Sequence, residues 1–289
     1  MKSTINLTFL GGGKMAQAMI QGLKQQQEHG PHSAGASIPN FVFRAVDPNH
    51  NRLEELQPKI HQAVPQLTED VATITDIMVL SVKPQQASEA LKSLTKYSLQ
   101  ESALIVSVVA GLPLKKIADA RPGTSSLVRA MPNTPATIGK GITVWISTPD
   151  TTDEQLETMK TILRAMGAEQ RVKDEDSVDM ATAVSGSGPA YVLLLMESMV
   201  DSACHMGLPR ELARKLVEET FIGTAEYAKM SKSHTAVLRD EITSPGGTTA
   251  AALYNAEKGR FRSVVSDMMW AAYKRARELG GKPPGAGPM

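Results

Sequence analysis

The sequence has one cysteine, almost no net charge and no long uninterrupted apolar run. The single cysteine, Cys204, excludes an internal disulfide framework. The formal net charge of +1 gives no reason to expect nucleic acid or a membrane surface as a partner. The apolar runs are too short or too interrupted to span a bilayer, and no N-terminal stretch resembles a signal peptide. We therefore expect a cytoplasmic protein, with an organelle stroma as the open alternative.

Two kinds of catalytic motif are also absent. The six histidines, at positions 29, 32, 50, 61, 205 and 234, do not have the spacing of metal ligands. The sequence contains no Gly-x-Ser-x-Gly motif, and Ser187 has no general base at a recognisable distance. We therefore predict neither a metal site nor nucleophilic serine chemistry.

About the first 170 residues alternate short apolar runs with helical patterns. The predicted strands are 5–10, 41–46, 77–82, 103–109, 125–131, 142–147 and 169–172. Strands that are apolar throughout are buried on both faces, and helices between them indicate a mostly parallel, doubly wound sheet.

From residue 174 onward the strand signal stops. The segments 189–207, 209–230 and 249–279 have apolar residues at helical spacing. The chain of 289 residues is long enough for two domains of roughly 100–200 residues. The sequence therefore predicts an α/β domain at 1–172, an all-α domain at 173–280 and a flexible tail at 281–289.

A glycine motif follows the first predicted strand. The run FLGGGKMAQAM places Gly11, Gly13 and Ala16 in a Gly-x-Gly-x-x-Ala pattern where a strand ends and a helix begins. Glycines there permit a tight turn and the close approach of a pyrophosphate, and the helix N-terminus supplies N–H donors. We predict a dinucleotide site; a glycine turn in a purely structural sheet is the alternative.

The second predicted strand ends at Asp47. This acid lies further from Gly13 than the usual spacing of about 20 residues, and the polar loop 28–40 accounts for the excess. A carboxylate there favours the ribose diol of NAD and repels a 2′-phosphate, an effect that Asn49 and Arg52 would soften for NADP. The alternative is that Asp47 only forms a turn before Pro48.

Three further strand ends carry small or conformationally restricted residues, namely Ser81–Pro84, Ala110–Gly111 and Met131–Pro135. The carboxyl ends of strands face the ligand crevice in a doubly wound sheet. We interpret these residues as a shaped wall for a nicotinamide ring, with plain loops as the alternative at each position.

A second turn stands near the C-terminus, far from the glycine motif. In TSPGGTTAAAL, which starts at Thr243, a Ser-Pro, two glycines and two threonines lead directly into alanines. The pattern predicts a turn that opens a helix and leaves its first backbone N–H groups unpaired. Such amides are suited to a small anion.

These segments together resemble one family. FLGGGKMAQAM, LSVKPQ, SVVAGL, RAMPNTPA, SGSGPAY and TSPGGTTAAAL, in this order, are similar to Δ1-pyrroline-5-carboxylate reductases over almost the whole chain. The resemblance implies the last step of proline biosynthesis, in which NADPH or NADH reduces the cyclic imine (S)-1-pyrroline-5-carboxylate to L-proline. It implies an N-terminal Rossmann domain and a helical C-terminal dimerisation domain, in a homodimer that can assemble further into a decamer.

The resemblance also implies roles for individual residues. The cofactor residues are Gly11, Gly12, Gly13, Lys14, Met15, Asp47, Asn49, Ser81, Val82, Lys83, Pro84, Ala110, Gly111 and Asn133; the substrate residues are Ser244, Gly246, Gly247, Thr248 and Thr249. The amides of the second turn would hold the substrate carboxylate, and the Thr249 hydroxyl would deliver or retain a proton at the imine nitrogen. Asp47 stands where NADP-preferring members tend to have a small polar residue, so the choice between NADPH and NADH stays open.

Two other functions remain as alternatives. A β-hydroxyacid dehydrogenase or another imine reductase would share the architecture, but the former uses a lysine in its helical domain, and SGSGPAYVLLLMESM contains none. A non-catalytic NAD(P) sensor would not need the turn at 244–249.

Overall fold

The computed structural model describes residues 2–29 and 38–284. The chain forms two compact units. The first comprises Met1–Ser187 together with Ala272–Met289, and the second is Gly188–Ala271. Most of the polar loop predicted at 28–40 lies outside the described residues.

The first unit contains one sheet of eight strands in the order β3-β2-β1-β4-β5-β6-β7-β8. The strands are β1 Thr4–Leu10, β2 Asn40–Val46, β3 Gln62–Val64, β4 Ile77–Leu80, β5 Leu104–Ser107, β6 Leu127–Met131, β7 Gly141–Ser147 and β8 Gly167–Arg171. All neighbours are parallel except β6 and β7, which are antiparallel. The predicted mostly parallel, doubly wound sheet is thus confirmed.

The register aligns the carboxyl ends of the three central strands. Leu10 of β1 pairs with Val46 of β2 on one side and with Leu80 of β4 on the other. The residues that follow these three partners therefore meet at one edge of the sheet, where the strand order changes direction. Ligands of open α/β sheets bind at such a point.

The described residues of this unit form seven α-helices in addition to the end of the last helix. They are α1 Lys14–His29, α2 His50–Leu56, α3 Glu69–Thr73, α4 Ala87–Leu94, α5 Leu114–Ala120, α6 Asp153–Arg164 and α7 Glu175–Ala181. Alternate residues of β4 pack into two apolar clusters: Ile77 and Val79 join Met19 of α1, while Met78 and Leu80 join Leu91 of α4. Burial on both faces explains why the strands are continuous apolar runs.

The second unit is helical. It contains α8 Gly188–His205, α9 Arg210–Met230, α10 Thr235–Glu241, α11 Thr248–Lys258 and the first part of α12 Phe261–Leu279. A π-helical turn at Thr182–Gly186 precedes α8. The predicted all-α character of the C-terminal half is confirmed.

Four details differ from the sequence-based expectation. The sequence missed β3, which has three residues and no apolar run, and α10, which has seven residues. The single helix expected at 249–279 is two helices, because the chain turns at Gly259 and Arg260, where Arg260 has a φ of 59°. The strands expected at 77–82 and 103–109 end two residues earlier, at Leu80 and Ser107.

The compact units divide the chain after Ser187, whereas the expected domain limit lies at 172/173. Contacts of α7 with β6 and β7 keep the intervening residues with the sheet. Of the tail expected to be flexible, Lys282 makes ion pairs with Asp176 and Asp179, and 285–289 lie outside the described residues. The limits 1–172 and 173–280 stay a prediction.

One helical stretch, Glu175–His205, is long and apolar enough by length and composition to cross a membrane. The expectation that every apolar run is too short or too interrupted to span a bilayer is therefore wrong for this stretch. A single such helix is weak evidence for a membrane span, because helices that pack against other protein also have this composition.

Candidate functional site

The glycine turn connects β1 to α1 and touches the neighbouring strands. Gly11 has a φ of +100°, and a Cβ atom added to it would lie 2.8 Å from the carbonyl oxygen of Ser81. Its N–H donates to the carbonyl of Val46 at 2.8 Å. Both the left-handed conformation and the close approach require glycine at this position.

Ser81 supports this turn from the end of β4. Its hydroxyl donates to the carbonyl oxygen of Gly11 at 2.7 Å, and its N–H donates to that of Leu10 at 2.8 Å. The hydroxyl therefore braces the glycine turn, although the residue also lines the adjoining cavity.

A cavity of about 900 Å³ opens at the carboxyl ends of β1, β2 and β4. Eight of the predicted cofactor residues line it: Gly11, Gly13, Lys14, Asp47, Asn49, Ser81, Val82 and Lys83. A Cβ added at Gly13 would meet no atom of the described residues within 4 Å, so the space beside the start of α1 is open. The α1 N-terminus and the exposed Lys14 thus offer N–H donors and positive charge to an anion.

The cavity also has lining residues outside the predicted cofactor set, and of these the sequence analysis had connected only Arg52 with the cofactor. Its additional residues are Leu10, Gln17, Val46, Pro48, Asn51, Arg52, Glu55, Pro65, Gln66, Leu67, Gln86, Glu89, Ala90 and Ser93. The loop 65–67 follows β3, and only recognition of that short strand would have placed it here.

The other six predicted cofactor residues are not among the residues that line this cavity in the described part of the chain. Pro84, Ala110 and Gly111 line a second cavity of about 430 Å³. The Gly12 amide donates to Asp47, and Met15 packs against the apolar core. Asn133 precedes a short 3-10 turn without capping it, and its side-chain oxygen accepts from the N–H of Ile142 at 2.9 Å.

The end of α12 closes tightly on the second cavity. Gly111 has a φ of +73°, and an added Cβ would lie 2.6 Å from the Cβ of Leu279. The small residues expected after β5 are therefore required by this contact as much as by any ligand.

Asp47 is buried at the end of β2 and accepts three hydrogen bonds. The N–H groups of Gly12 and Asn49 donate to it at 2.8 and 2.9 Å, and the guanidinium of Arg52 lies 3.2 Å away. The carboxylate, 35 positions after Gly12 in the sequence, thus holds together the glycine turn and the start of α2.

An ionic cluster surrounds the buried side chains of Arg129 and Asp179. Arg129 of β6 pairs with Glu175 at 3.0 Å and with Asp179. Lys282 donates to Asp179 at 2.9 Å and to Asp176 at 2.8 Å. The hydrogen bond from Lys282 lowers the pKa of Asp176 below its ordinary value. Burial alone would lower the pKa of Lys282, but its bonds to Asp176 and Asp179 outweigh this effect and raise that pKa.

The second turn lies in the helical unit. The N–H of Gly247 donates to the carbonyl of Ser244 at 3.0 Å, and α11 begins at Thr248. Gly247 occupies the N-cap position, where no side chain of the described residues accepts from the helix. The first amides of α11 are left without intrahelical partners, and Thr249 is half-buried beside them.

No cluster of three histidine, cysteine, aspartate or glutamate side chains that could hold a metal occurs among residues 2–29 and 38–284.

The helical unit exposes large apolar side chains. Leu193 and Leu194 of α8 are 64% and 56% exposed, and Leu216, Ile222 and Val264 are also exposed.

Two family models match the chain. Residues 6–111 match that of NADP oxidoreductase, coenzyme F420-dependent, and residues 175–279 match that of pyrroline-5-carboxylate reductase dimerisation. The matches follow the order of the glycine-turn region and the helical region.

The chain is also similar to whole proteins. It is 37% identical over 279 residues to a pyrroline-5-carboxylate reductase of Synechocystis, covering 96% of this chain and 100% of that protein. It is 36% identical to the Arabidopsis thaliana enzyme of the same name, covering 94% of both. The crystal structure of Plasmodium falciparum pyrroline carboxylate reductase with NADP bound has a TM-score of 0.80 at 30% identity, covering 96% of this chain and 98% of that one. The resemblance noted in the sequence is confirmed, and the chain belongs to the pyrroline-5-carboxylate reductase family.

Proposed function

We propose that the protein reduces (S)-1-pyrroline-5-carboxylate to L-proline with NADPH, the last step of proline biosynthesis. Membership of the family over nearly the whole chain supports the reaction. The cavity of about 900 Å³ beside the glycine turn carries the proposal on structural grounds, because it provides a nucleotide site in the position expected for an open α/β sheet.

The residues around this cavity fit a dinucleotide. The Gly11–Gly13 turn and the start of α1 would hold the pyrophosphate, with Lys14 adding positive charge. Val82 and Lys83 from this cavity, together with Pro84, Ala110, Gly111 and Asn133 from outside it, would form the nicotinamide wall. NADPH is favoured over NADH because the N-terminal family model is that of an NADP oxidoreductase and a related structure holds NADP. When bound, the reduced cofactor supplies the hydride.

The helical unit would bind the imino acid. Its carboxylate would accept from the backbone N–H groups at the start of α11, and the hydroxyls of Ser244, Thr248 and Thr249 would add donors. Gly246 and Gly247 would let the substrate approach the backbone. Thr249 would hold or donate the proton at the imine nitrogen, which needs no strong acid because a protonated imine is already electrophilic.

The apolar surface of the helical unit fits a homodimer, in keeping with the dimerisation model matched there. We propose further that dimers assemble as a pentamer of dimers, that the domain limits lie at 172/173 and 280/281, and that the protein works in the cytoplasm. Within the apolar stretch Glu175–His205, α7 packs on the sheet of its own chain, and α8 would pack on a second subunit rather than span a membrane.

The test is turnover. Purified protein is mixed with pyrroline-5-carboxylate and NADPH or NADH, and loss of the reduced nicotinamide absorbance is followed. We expect oxidation that depends on the imino acid and is faster with NADPH. Oxidation with other imines or with a β-keto acid, but not with pyrroline-5-carboxylate, would assign the chain to a different reductase of this architecture. Nucleotide binding with no turnover of any of these substrates would indicate a sensor.

A further inference from the structure

The loop that follows β5 carries two of the residues proposed for the nicotinamide wall, Ala110 and Gly111. It runs from 108 to 113 and leads into α5. Its first residue is tied to the sheet, since the N–H of Val108 donates to the carbonyl of Leu80 at 3.0 Å. The contacts of the remaining loop residues therefore decide where Ala110 and Gly111 lie.

The end of α12 lies directly against this loop. A Cβ atom added to Gly111 would lie 2.6 Å from the Cβ of Leu279 and 3.1 Å from the backbone nitrogen of Gly280. A Cβ added to Gly280 would in turn lie 3.0 Å from the carbonyl oxygen of Gly111. The two backbones are therefore packed against each other, so the position of the helix end fixes the position of the loop on this side.

The chain turns sharply where α12 ends. Gly281 has a φ of +75°, and its N–H donates to the carbonyl of Glu278 at 2.9 Å. The N–H of Lys282 donates to the carbonyl of Arg277 at 2.9 Å. These two bonds form a Schellman motif, which ends the helix and sets the direction of the residues that follow. Lys282 is directed in this way to the carboxylates of α7.

Ion pairs fasten this turn to α7. The Nζ atom of Lys282 donates to Asp179 at 2.9 Å and to Asp176 at 2.8 Å. The side chain of Asp179 is 2% exposed, and a buried carboxylate strongly resists the loss of a cationic partner. Arg277 adds a further contact from α12 to Asp176 at 3.4 Å. Charge as well as packing thus sets the position of the helix end.

The same helix α7 holds the exit of the loop. Glu175 accepts from the N–H of Leu114, where α5 begins, at 3.1 Å, and it pairs with Arg129 at 3.0 Å. Arg129 lies beside Ser107, the last residue of β5, in the sheet. The loop is therefore supported at its exit by Glu175 and at Gly111 by the end of α12, and α7 connects the two supports.

We propose that Lys282 is a positioning residue for the nicotinamide wall. By anchoring the end of α12 on α7, it holds Leu279 and Gly280 against Gly111 and so keeps the loop 108–113 in the conformation that contacts the nicotinamide ring. This inference deepens the proposed function and rests on it for the place of the ring. It gives a role in cofactor binding to a segment for which the sequence predicts a flexible tail.

Ligand binding with and without the nicotinamide ring tests this role. Isothermal titration calorimetry of the full chain compares NADPH with 2′-phospho-ADP-ribose, which lacks only the nicotinamide. In Lys282→Met we expect the Kd of NADPH to rise by about threefold to tenfold, because the loop no longer holds the ring, and the Kd of the ADP-ribose compound to rise by less than about twofold. Lys282→Arg keeps a cation for Asp179 and should return the Kd of NADPH to within about twofold of the wild-type value.

The matched control is Lys2→Met, which tests for an effect of fold stability alone. Lys2 pairs at 2.6 Å with Asp76, whose side chain is 11% exposed, at the amino ends of β1 and β4. This variant also removes a cation from a largely buried carboxylate of the first unit, and we expect both Kd values to stay within about twofold. Circular dichroism melting checks that each variant is folded; should Lys282→Met not fold, Lys282→Gln, which keeps a hydrogen-bond donor, is compared in the same way.

An equal change of both Kd values in Lys282→Met, or no change in either, would overturn the proposal, because Lys282 would then act on the fold and not on the ring. Failure of Lys282→Arg to restore NADPH binding would contradict the anchoring by ion pairs.

The outcome is distinguishable from failure of the proposed function. Wild-type protein that binds the ADP-ribose compound as tightly as NADPH contradicts the inference, whatever imine it reduces. A loss of affinity that is confined to NADPH and restored in Lys282→Arg supports the inference even if pyrroline-5-carboxylate is not turned over.

Discussion

The two compact units place their apolar side chains differently. In the first unit, every residue of β4 and β5 is buried between helices on both faces of the sheet. In the second, α8 exposes Leu193 and Leu194, and no residue of α11, which the structure describes in full, is buried. The first unit buries its apolar side chains within one chain, whereas the second needs a partner to bury those that it exposes.

This difference divides the work between the units. The first offers, at one edge of the sheet, the glycine turn and the cavity proposed for the nucleotide. The second offers a helix start with unpaired amides. Its helices expose apolar side chains and match the family model of a dimerisation domain. A destabilising substitution in the first unit should therefore lower the free energy of unfolding at any protein concentration. A substitution on the exposed face of the second should instead weaken subunit association.

The largest effect should come from charging the exposed face of α8. Leu194→Glu puts a carboxylate where the partner's apolar side chains would bury it, and burial of an unpaired charge is strongly unfavourable. We expect wild-type protein to have the mass of a dimer or of a larger assembly of dimers by light scattering, and the variant to be monomeric or aggregated. Lys160→Glu, on the exposed surface of α6, should keep the wild-type mass. If the wild-type protein has the mass of one chain at every concentration, the second unit does not need a partner to bury its apolar side chains, and the comparison is wrong.

The next effect should arise inside the first unit. Asp179→Asn removes a buried partner of Arg129 and also weakens the contact with Lys282. Breaking a buried ion pair on one side costs about 3–5 kcal/mol. We expect the free energy of unfolding in urea to fall by about 3 kcal/mol at any protein concentration. The exposed pair Asp201 and Arg210 provides the control, since Asp201→Asn should change the free energy of unfolding by less than about 1 kcal/mol. An equal loss in both variants would mean that burial does not set the effect.

Thr249→Ala tests whether the second unit carries the substrate site. Loss of a group that transfers or holds a proton typically lowers turnover by about 100-fold or more. We expect kcat/KM for pyrroline-5-carboxylate to fall by about that factor, while the Kd of NADPH, measured by fluorescence, stays within about twofold. Thr249→Ser keeps the hydroxyl and should retain most of the activity. Unchanged steady-state kinetics in Thr249→Ala would move the substrate elsewhere.

The smallest effect concerns Lys282, which fastens the C-terminal segment to the first unit. Lys282→Met should lower the free energy of unfolding by about 1 kcal/mol near neutral pH. Because the pKa of Asp176 is depressed, its contribution is present above the ordinary aspartate value of 3.8 and is lost as pH falls through the lower folded value. Because the pKa of Lys282 is raised, its contribution is present below the ordinary lysine value of 10.5 and is lost as pH rises through the higher folded value.

Urea unfolding of both proteins across this pH range provides the measurement. The difference between wild type and Lys282→Met should be constant between about pH 5 and pH 9 and shrink outside that window. The control variant is Lys160→Met. Lys160 is about as exposed as Lys282, but its ion-pair partner, Glu157, is 54% exposed, whereas Asp179 is buried, so we expect a smaller difference. A difference that does not change with pH would show that Lys282 acts through packing alone.

Much of the architecture was predictable from local pattern. Strands such as Leu104–Ser107 are continuous apolar runs because both faces are buried, and Gly11 stands where no other residue could adopt the turn. The three-residue strand Gln62–Val64 could not be found in this way, since it is held by pairing with β2 and has no apolar pattern of its own. With it the loop 65–67 of the nucleotide cavity was missed.

By itself, the sequence determined the doubly wound sheet, the helical second half, the glycine turn, the helix start at Thr248 and the family. These depend on hydrophobic periodicity, backbone conformation and short motifs, which are properties of neighbouring residues. The tertiary structure alone decided that Asp47 binds Gly12 and Arg52, and that Lys282 reaches Asp179. The physical reason is that hydrogen bonds and ion pairs form between atoms a few ångströms apart, and residues such as Asp179 and Lys282, 103 positions apart, come that close only when the chain has folded.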